Sequence, residues 1–177
     1  MKKPILGKLI NNAGHGNYTN SDAPEKVIRY VTRTNGKTKD ELIAWGGLGI
    51  LECNDVESII NQFCITQKLH TRRGSFGRYI DHEYFSFSPK GEYILSQNNL
   101  DIDKIARKMA YDIYEQDHCQ VIYGVHAPDK NESHLHIHFA INTVNFYTGN
   151  KRRENIHETA EREKRFQKII WDEIKIK

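Results

Sequence analysis

The chain has 177 residues, of which 38% are hydrophobic and 28% are charged, and its formal net charge is +3. These values are typical of one soluble globular domain that is large enough to bury a core. The sequence contains no apolar run of membrane-span length and no secretory signal, and its three cysteines lack CxxC spacing, so we expect a cytoplasmic protein with reduced thiols.

Hydrophobic periodicity and capping residues predict an alternation of strands and helices. The first half of the chain is predicted to contain a strand over 4–12, a helix capped by Ser21 or Asp22 and ending near 34–36, a short extended piece over 43–51, and a helix from Asn54 or Asp55 to about Leu69. A basic loop over 70–80, a strand over 82–88 and a turn over 89–92 follow. The last elements are a helix over 100–116, strands over 120–126 and 135–144, and a helix from Glu154 to about Ile174. The last two strands are expected to form an antiparallel hairpin. This pattern favours an α+β fold, in which a central antiparallel β-sheet is flanked by α-helices.

Histidines alternate with hydrophobic residues in the last predicted strand. His134, His136 and His138 share one parity, so their imidazoles are expected on one face of the strand. His126 ends the preceding strand, and three imidazoles that converge there would bind a divalent ion and leave open coordination positions, as in catalytic sites. Parity alone does not decide which two of the three alternating histidines are ligands. Asp129, in the connecting loop, is either a carboxylate that orients an imidazole or a plain turn residue.

One tyrosine is a candidate nucleophile. Tyr30 lies late in the first predicted helix, among Arg29, Arg33 and Lys37, and a hydroxyl flanked by cations can be activated for attack on phosphorus. The alternative is a helix tyrosine that is packed by its ring, and the chain has nine tyrosines.

Basic residues cluster in or beside predicted loops. The clusters are Arg29, Arg33, Lys37 and Lys39, then Lys68, His70, Arg72, Arg73 and Arg78, then Lys151, Arg152 and Arg153. Local basic loops suit a phosphate backbone, although solvated surface charge explains any one cluster equally well.

In combination, these motifs resemble the relaxases of conjugative plasmids and integrative elements, which are mobilisation nucleases of the HUH endonuclease superfamily. The resemblance is carried by Val27–Thr32 followed by Gly36–Thr38 for the first family motif, by Tyr84–Phe87 for the central strand, by Gly124–Asp129 with His136, His138 and Asn142 for the metal motif, and by Asn145 and Thr148–Lys151 beyond it. It covers roughly residues 5–153 and is greatest to the MobP class.

The resemblance implies roles for particular residues. Tyr30 is then the nucleophile, and His126, His136 and His138 are the ligands of a divalent ion, Mn²⁺ or Mg²⁺, with Zn²⁺ as the alternative. The residues expected to contact DNA are Arg29, Arg33, Lys37, Arg72, Arg73, Ser75, Arg78, Lys151 and Arg152, of which Ser75 falls near the cleavage site.

The sequence departs from the family pattern at three places. The loop between His126 and His136 is longer than in many members. His134 is an additional histidine that could replace a ligand. Pro128 stands where the family has an acidic residue two positions after the first histidine. Asp129 and Glu83 therefore compete as the catalytic acid or base.

The activity implied is strand-specific nicking of DNA at an origin of transfer, by metal-assisted transesterification that leaves a 5′-phosphotyrosyl adduct and a free 3′-hydroxyl. The implied partners are single-stranded origin DNA with an adjacent hairpin, accessory relaxosome proteins and a coupling protein, in the bacterial cytoplasm and without membrane insertion. Residues 1–177 are expected to form a single relaxase catalytic domain, either as the whole protein or as a fragment of a longer one.

Three other classes of protein remain open at this point. Replication initiators and transposases of the same superfamily typically place the tyrosine on a helix after the metal strand, whereas residues 154–177 here contain no tyrosine. A zinc hydrolase would use metal-bound water and need no tyrosine. A metal-stabilised DNA-binding module would bind strands without cutting, and any covalent DNA adduct would exclude it.

Overall fold

A five-stranded β-sheet organises the part of the chain that the structure describes. This computed structural model describes residues 4–11, 18–36, 41–51, 55–70, 77–129, 133–153 and 155–175. The elements are β1 (Gly7–Asn11), α1 (Ala23–Val31), β2 (Leu42–Leu48), α2 (Val56–Leu69), β3 (Ile80–Phe87), α3 (Pro89–Gln97), α4 (Ile102–Asp117), β4 (Val121–His126), β5 (His136–Asn142) and α5 (Ile156–Lys175). No helix within these ranges is long and apolar enough to cross a membrane.

The strands pair in the order β1-β3-β5-β4-β2, and every pair is antiparallel. Strand β5 is central, between β3 and β4. The β4–β5 register places His126 opposite His136 and Gly124 opposite His138. The predicted α+β fold and the predicted hairpin are therefore confirmed.

Alternating side chains give the sheet two faces with separate cores. On one face, residues such as Phe85 and Phe139 pack with α4 and α5, including Phe166. On the other face, Ile122 and Ala140 pack with the apolar sides of α1 and α2. Since His138 and Ala140 are two residues apart in β5, the histidines belong to the α1 and α2 face.

One helix was not predicted, and another ends earlier than predicted. The segment over 89–92 was predicted as a turn, but it begins α3, because Ser88 accepts a hydrogen bond from the Gly91 amide at 3.1 Å and Pro89 suits the first turn of a helix. Helix α1 ends at Val31, a few residues before the predicted end, because the backbone of Arg33 is left-handed. Both differences arise from local backbone geometry that periodicity does not report.

Candidate active site

Three histidines meet at the end of β4 and the start of β5. His126, His136 and His138 are all buried, and each offers a ring nitrogen within 4.8 Å of the other two. One divalent ion can bridge such a separation after small rotations of the rings. The structure thus brings together the three predicted ligands.

Backbone carbonyls fix the outer nitrogens of two of these rings. His126 Nε2 lies 2.8 Å from the carbonyl oxygen of Val31, and His136 Nδ1 lies 2.6 Å from that of His134. Because a carbonyl only accepts, these two nitrogens carry the proton. The opposite nitrogens, His126 Nδ1 and His136 Nε2, therefore keep lone pairs, as a metal ligand requires.

His82, which was not predicted from the sequence, supports the third predicted ligand. Its Nε2 lies 3.0 Å from Nδ1 of His138, and its Nδ1 lies 3.3 Å from the hydroxyl of Tyr18. His138 Nδ1 can donate to His82, which leaves Nε2 of His138, buried and without a hydrogen-bond partner among the described residues, with its lone pair. The register of β3 on β5 identifies His82, because it pairs His82 with Ala140 and so places it on the same face as the histidine cluster. The donor set therefore fits a metal ion.

Burial keeps the imidazoles of His126 and His138 neutral. Loss of hydration lowers the pKa of His126 to about 3 and holds the pKa of His138 well below its usual range, and the neighbouring His82 and Arg33 act in the same direction on both rings. Neutral imidazole is the form that coordinates a metal.

We expect the metal-free protein to lose stability as the pH falls from 7 to 5. In the unfolded chain these histidines take up protons near pH 6.5, but His126 and His138 in the fold do not. The free energy of unfolding is therefore at its full value above pH 6.5. Below pH 6.5 it falls by up to about 1.4 kcal/mol per pH unit for each of these two histidines. Urea unfolding in EDTA measures this slope. His126→Gln should flatten it and the exposed His157→Gln should not, so equal slopes in all three proteins would contradict the expectation.

Tyr30 faces the histidine cluster from α1. Its ring centroid lies 5.1 Å from that of His138, 5.7 Å from that of His126 and 5.5 Å from that of His82, each in an edge-on arrangement. Helix α1 is held there by Val27, Ile28 and Val31, which are buried on its apolar side. The predicted nucleophile and the predicted ligands therefore share one site.

Two more tyrosines border the cluster. The ring of Tyr84 lies 5.4 Å from that of His138 and 6.3 Å from that of His136, and the ring of Tyr18 lies 6.3 Å from that of His82. Tyr30 contacts more of the histidines than either. Tyr84 and Tyr18 are nonetheless the natural controls for any claim about the nucleophile.

Gly124 lets the end of α1 lie directly on β4. A Cβ at this position would meet the carbonyl oxygen of Val31 at 2.1 Å, and that carbonyl is the partner of His126. We expect Gly124→Ala to displace α1, to lower the free energy of unfolding by about 1–3 kcal/mol and to weaken metal binding. Urea unfolding and calorimetric metal titration check both effects. Full stability with unchanged metal affinity would contradict this account of the site.

Two predicted site residues are elsewhere. Glu83, predicted as an acid or base, is fully buried on the opposite face of the sheet, where it pairs with Arg152 at 2.7 Å and with Arg162 at 3.0 Å. Arg152, predicted to contact DNA, is also buried and pairs with Asp81 and Asp117, each at 2.7 Å. Both predictions are wrong, because these charges form an internal network that ties α5 and the segment after β5 to the sheet.

His134 and Asp129 are the remaining predicted alternatives for a metal ligand and for an acid or base. The side chain of His134 is 40% exposed and its Nδ1 lies 3.4 Å from a carboxylate oxygen of Glu92, outside the cluster that His136 and His138 form with His126. Asp129 is half-buried in the loop after β4, three residues beyond His126. Its role as an acid, base or orienting carboxylate stays a prediction.

Several predicted DNA contacts are engaged within the fold. Arg29 pairs with Glu25 at 3.0 Å and with Glu57. Arg33 is buried beside Tyr30. Contact with DNA by Arg29 stays a prediction, although its charge is largely balanced by the two carboxylates.

Arg78 and Lys151 form a second group, at the other end of β5. Arg78 pairs with Asp81 at 2.8 Å, and Lys151 Nζ donates to Thr143 Oγ1 at 2.7 Å and to the Arg78 carbonyl. Burial lowers the pKa of Lys151 to about 8. Their contact with DNA stays a prediction. Lys37, Arg72, Arg73 and Ser75, which were also predicted to contact DNA, lie outside the described residues.

Known proteins resemble this chain in sequence and in fold. The protein-family model described as "Relaxase: MobA/VirD2-like, nuclease domain" matches residues 30–174. Among solved structures, the metal-bound conjugative relaxase TrwC in complex with oriT DNA has a similar fold, with a TM-score of 0.52 and 16% sequence identity over 94% of this chain and 68% of that chain. Comparison with curated proteins gave no match.

The family match covers most of the chain, including Tyr30 and all three histidines of the cluster. The predicted relaxase family and enzyme class are thereby confirmed, whereas the MobP class stays a prediction. The chain therefore belongs to the MobA/VirD2-like relaxase family, as a DNA-nicking nuclease domain with a histidine cluster that fits a divalent metal ion.

Proposed function

We propose that this domain nicks one strand of DNA at an origin of transfer by attack of the Tyr30 hydroxyl on a phosphodiester held at the histidine cluster. The observation that carries the proposal is the position of the Tyr30 ring, 5.1 Å from the ring of His138 and 5.7 Å from that of His126. The similar fold of TrwC, whose structure contains oriT DNA, supports origin DNA as the substrate class.

The reaction exchanges one phosphate ester for another. A bond forms between the phenolic oxygen of Tyr30 and the phosphorus, and the bond from phosphorus to the 3′ oxygen breaks. The phenol loses its proton and the departing 3′ oxygen gains one, so the products are a 5′-phosphotyrosyl linkage and a 3′-hydroxyl. The phosphate ester is transferred and not hydrolysed, so attack by a 3′-hydroxyl on the adduct rejoins the strands.

His126, His136 and His138 would hold the divalent ion. When bound, such an ion supplies positive charge to the non-bridging oxygens of the scissile phosphate. The protein contributes oriented imidazoles, since the carbonyls of Val31 and His134 accept from two of the rings and the third ring can donate to His82.

We propose Mn²⁺ or Mg²⁺ as the ion, with Zn²⁺ as the alternative. Three nitrogen ligands favour Mn²⁺ over Mg²⁺, because Mg²⁺ prefers oxygen ligands and keeps several waters. The three ions can be ranked by the nicking rate that each supports when the histidine cluster is equally occupied. The highest rate with Mg²⁺ would contradict the preference for Mn²⁺.

The cellular setting is also a proposal. We infer that residues 1–177 form one catalytic domain, which the single sheet with helices on both faces supports. Its proposed partners are single-stranded origin DNA with an adjacent hairpin, accessory relaxosome proteins and a coupling protein in the bacterial cytoplasm.

A covalent-adduct assay tests the proposed function. Labelled single strands tiled across the DNA that flanks the gene are incubated with the protein and Mn²⁺, with and without EDTA, and separated on a denaturing gel. A metal-dependent shifted band supports the proposal. Metal-dependent cutting without an adduct would indicate a hydrolase, and tight binding without cutting would indicate a DNA-binding module.

A further inference from the structure

Arg33 has an unfavourable backbone conformation just after α1. Its φ is 51°, in the left-handed region. The Thr34 amide donates to the Arg29 carbonyl at 2.9 Å and the Arg33 amide donates to the Tyr30 carbonyl at 3.2 Å, which is the hydrogen-bond pattern of a Schellman helix end. Glycine is the usual residue at this position because it has no Cβ. An arginine held there at a cost in stability suggests that its side chain has a function.

The side chain of Arg33 turns back over the candidate nucleophile. Its guanidinium carbon lies 4.8 Å from the centroid of the Tyr30 ring, within the range of a cation–π contact. The side chain is only 7% exposed, and its Nη2 lies 3.2 Å from a carboxylate oxygen of Glu41. Arg33 therefore contacts the Tyr30 ring and an acidic group at the same time.

Glu41 is itself fixed beside the histidine cluster. It precedes β2, and its carbonyl oxygen accepts a hydrogen bond from the amide of Ala127 at 2.8 Å, one residue after His126. The carboxylate that holds Arg33 is thus attached to the same strand end as one of the three histidines. The ion pair with Glu41 therefore restrains the guanidinium of Arg33.

We propose that Arg33, held by Glu41, is a positioning residue for the nucleophile. It keeps the Tyr30 ring directed at the histidine cluster and brings a positive charge beside the phenol as its oxygen attacks. The sequence had suggested a phosphate contact for Arg33, but the burial of its side chain argues against a solvent-facing role. The inference rests on the proposed function, in which Tyr30 is the nucleophile.

A lysine should not replace Arg33. The planar guanidinium can stack on a ring and pair with a carboxylate simultaneously, whereas the ammonium of lysine is a single compact charge. A glycine should remove the backbone strain together with the side chain. Arg33→Gly is therefore expected to be more stable than Arg33→Lys, although both lack the contact with Tyr30.

The test is single-turnover adduct formation with Mn²⁺ and saturating origin DNA, together with the Kd for DNA, its salt dependence and the melting temperature. We expect both Arg33 variants to be slower than the unsubstituted protein by about 30-fold or more, with unchanged Kd and salt slope. Glu41→Gln should lie between them and the unsubstituted protein. Arg165→Lys, which retains a charge near Asp112, is the matched control and should keep its rate.

Four results would overturn the inference. A weaker Kd with a salt slope reduced by about one indicates a phosphate contact. A rate that recovers in the more stable Arg33→Gly indicates a merely structural role. Full-rate adduct formation by Arg33→Lys overturns this inference alone, whereas no adduct in the unsubstituted protein overturns the proposed function and this inference with it.

Discussion

Tyr30→Phe is expected to abolish the covalent DNA adduct and to reduce nicking by at least about 10⁴-fold, because the nucleophilic oxygen is removed. Phenylalanine keeps the ring that packs edge-on against His82, His126 and His138, so the fold and DNA binding should be retained. The quantities to compare are the single-turnover adduct rate, the Kd for origin DNA and the melting temperature.

Tyr84→Phe and Tyr18→Phe are the matched controls for this variant. Both tyrosines lie beside the same cluster, with ring separations of 5.4 Å from Tyr84 to His138 and 6.3 Å from Tyr18 to His82. We expect both control variants to keep forming the adduct. Adduct formation that survives in Tyr30→Phe and disappears in Tyr84→Phe would assign the nucleophile to β3 and refute the assignment made here.

His138→Ala is expected to have the second largest effect, on metal binding and on nicking together. His138 is at the centre of the cluster, with ring centroids 4.5 Å from His126, 4.7 Å from His136 and 5.1 Å from His82. Loss of one of three ligands should weaken Mn²⁺ binding by about 100-fold or more and slow nicking by about 10³-fold. Calorimetric titration measures the affinity independently of the activity.

His134→Ala is the control for the ligand assignment. His134 shares the parity of His136 and His138, yet its side chain is 40% exposed and lies beside Glu92. We expect this variant to bind Mn²⁺ and to nick DNA at nearly the unsubstituted level. If His134→Ala lost metal binding while His138→Ala kept it, the ligand set derived from the structure would be wrong.

The histidine cluster was predictable from sequence to the extent that it depends on alternation within one strand. The pattern of β5 put three imidazoles on one face, and His126 followed from the hairpin. Exclusion of His134 required the position at which β5 begins, and the period-2 pattern does not contain that information. Tyr30 was reached through its motif, and its contacts depend on how α1 packs across the sheet.

His82 and Glu83 show what the sequence could not provide. They are adjacent in β3, so their side chains point to opposite faces, and the face of each depends on the register between β3 and β5. From the sequence, Glu83 was predicted to be at the site and His82 was not. The register instead places His82 beside the histidine cluster and Glu83 on the opposite face. The prediction that Arg152 contacts DNA was wrong for a related reason, because its carboxylate partners are 35 or more residues away along the chain.

The most direct test of the central claim is mass spectrometry of the adduct after nuclease and trypsin digestion. Cleavage after Arg29 and Arg33 would release Tyr30 on the short peptide Tyr30–Arg33. We predict that the residual nucleotide phosphate is on this peptide and that its attachment requires a divalent metal ion. A nucleotide found on the peptide that contains Tyr84 or Tyr18, with none on Tyr30–Arg33, would contradict this prediction.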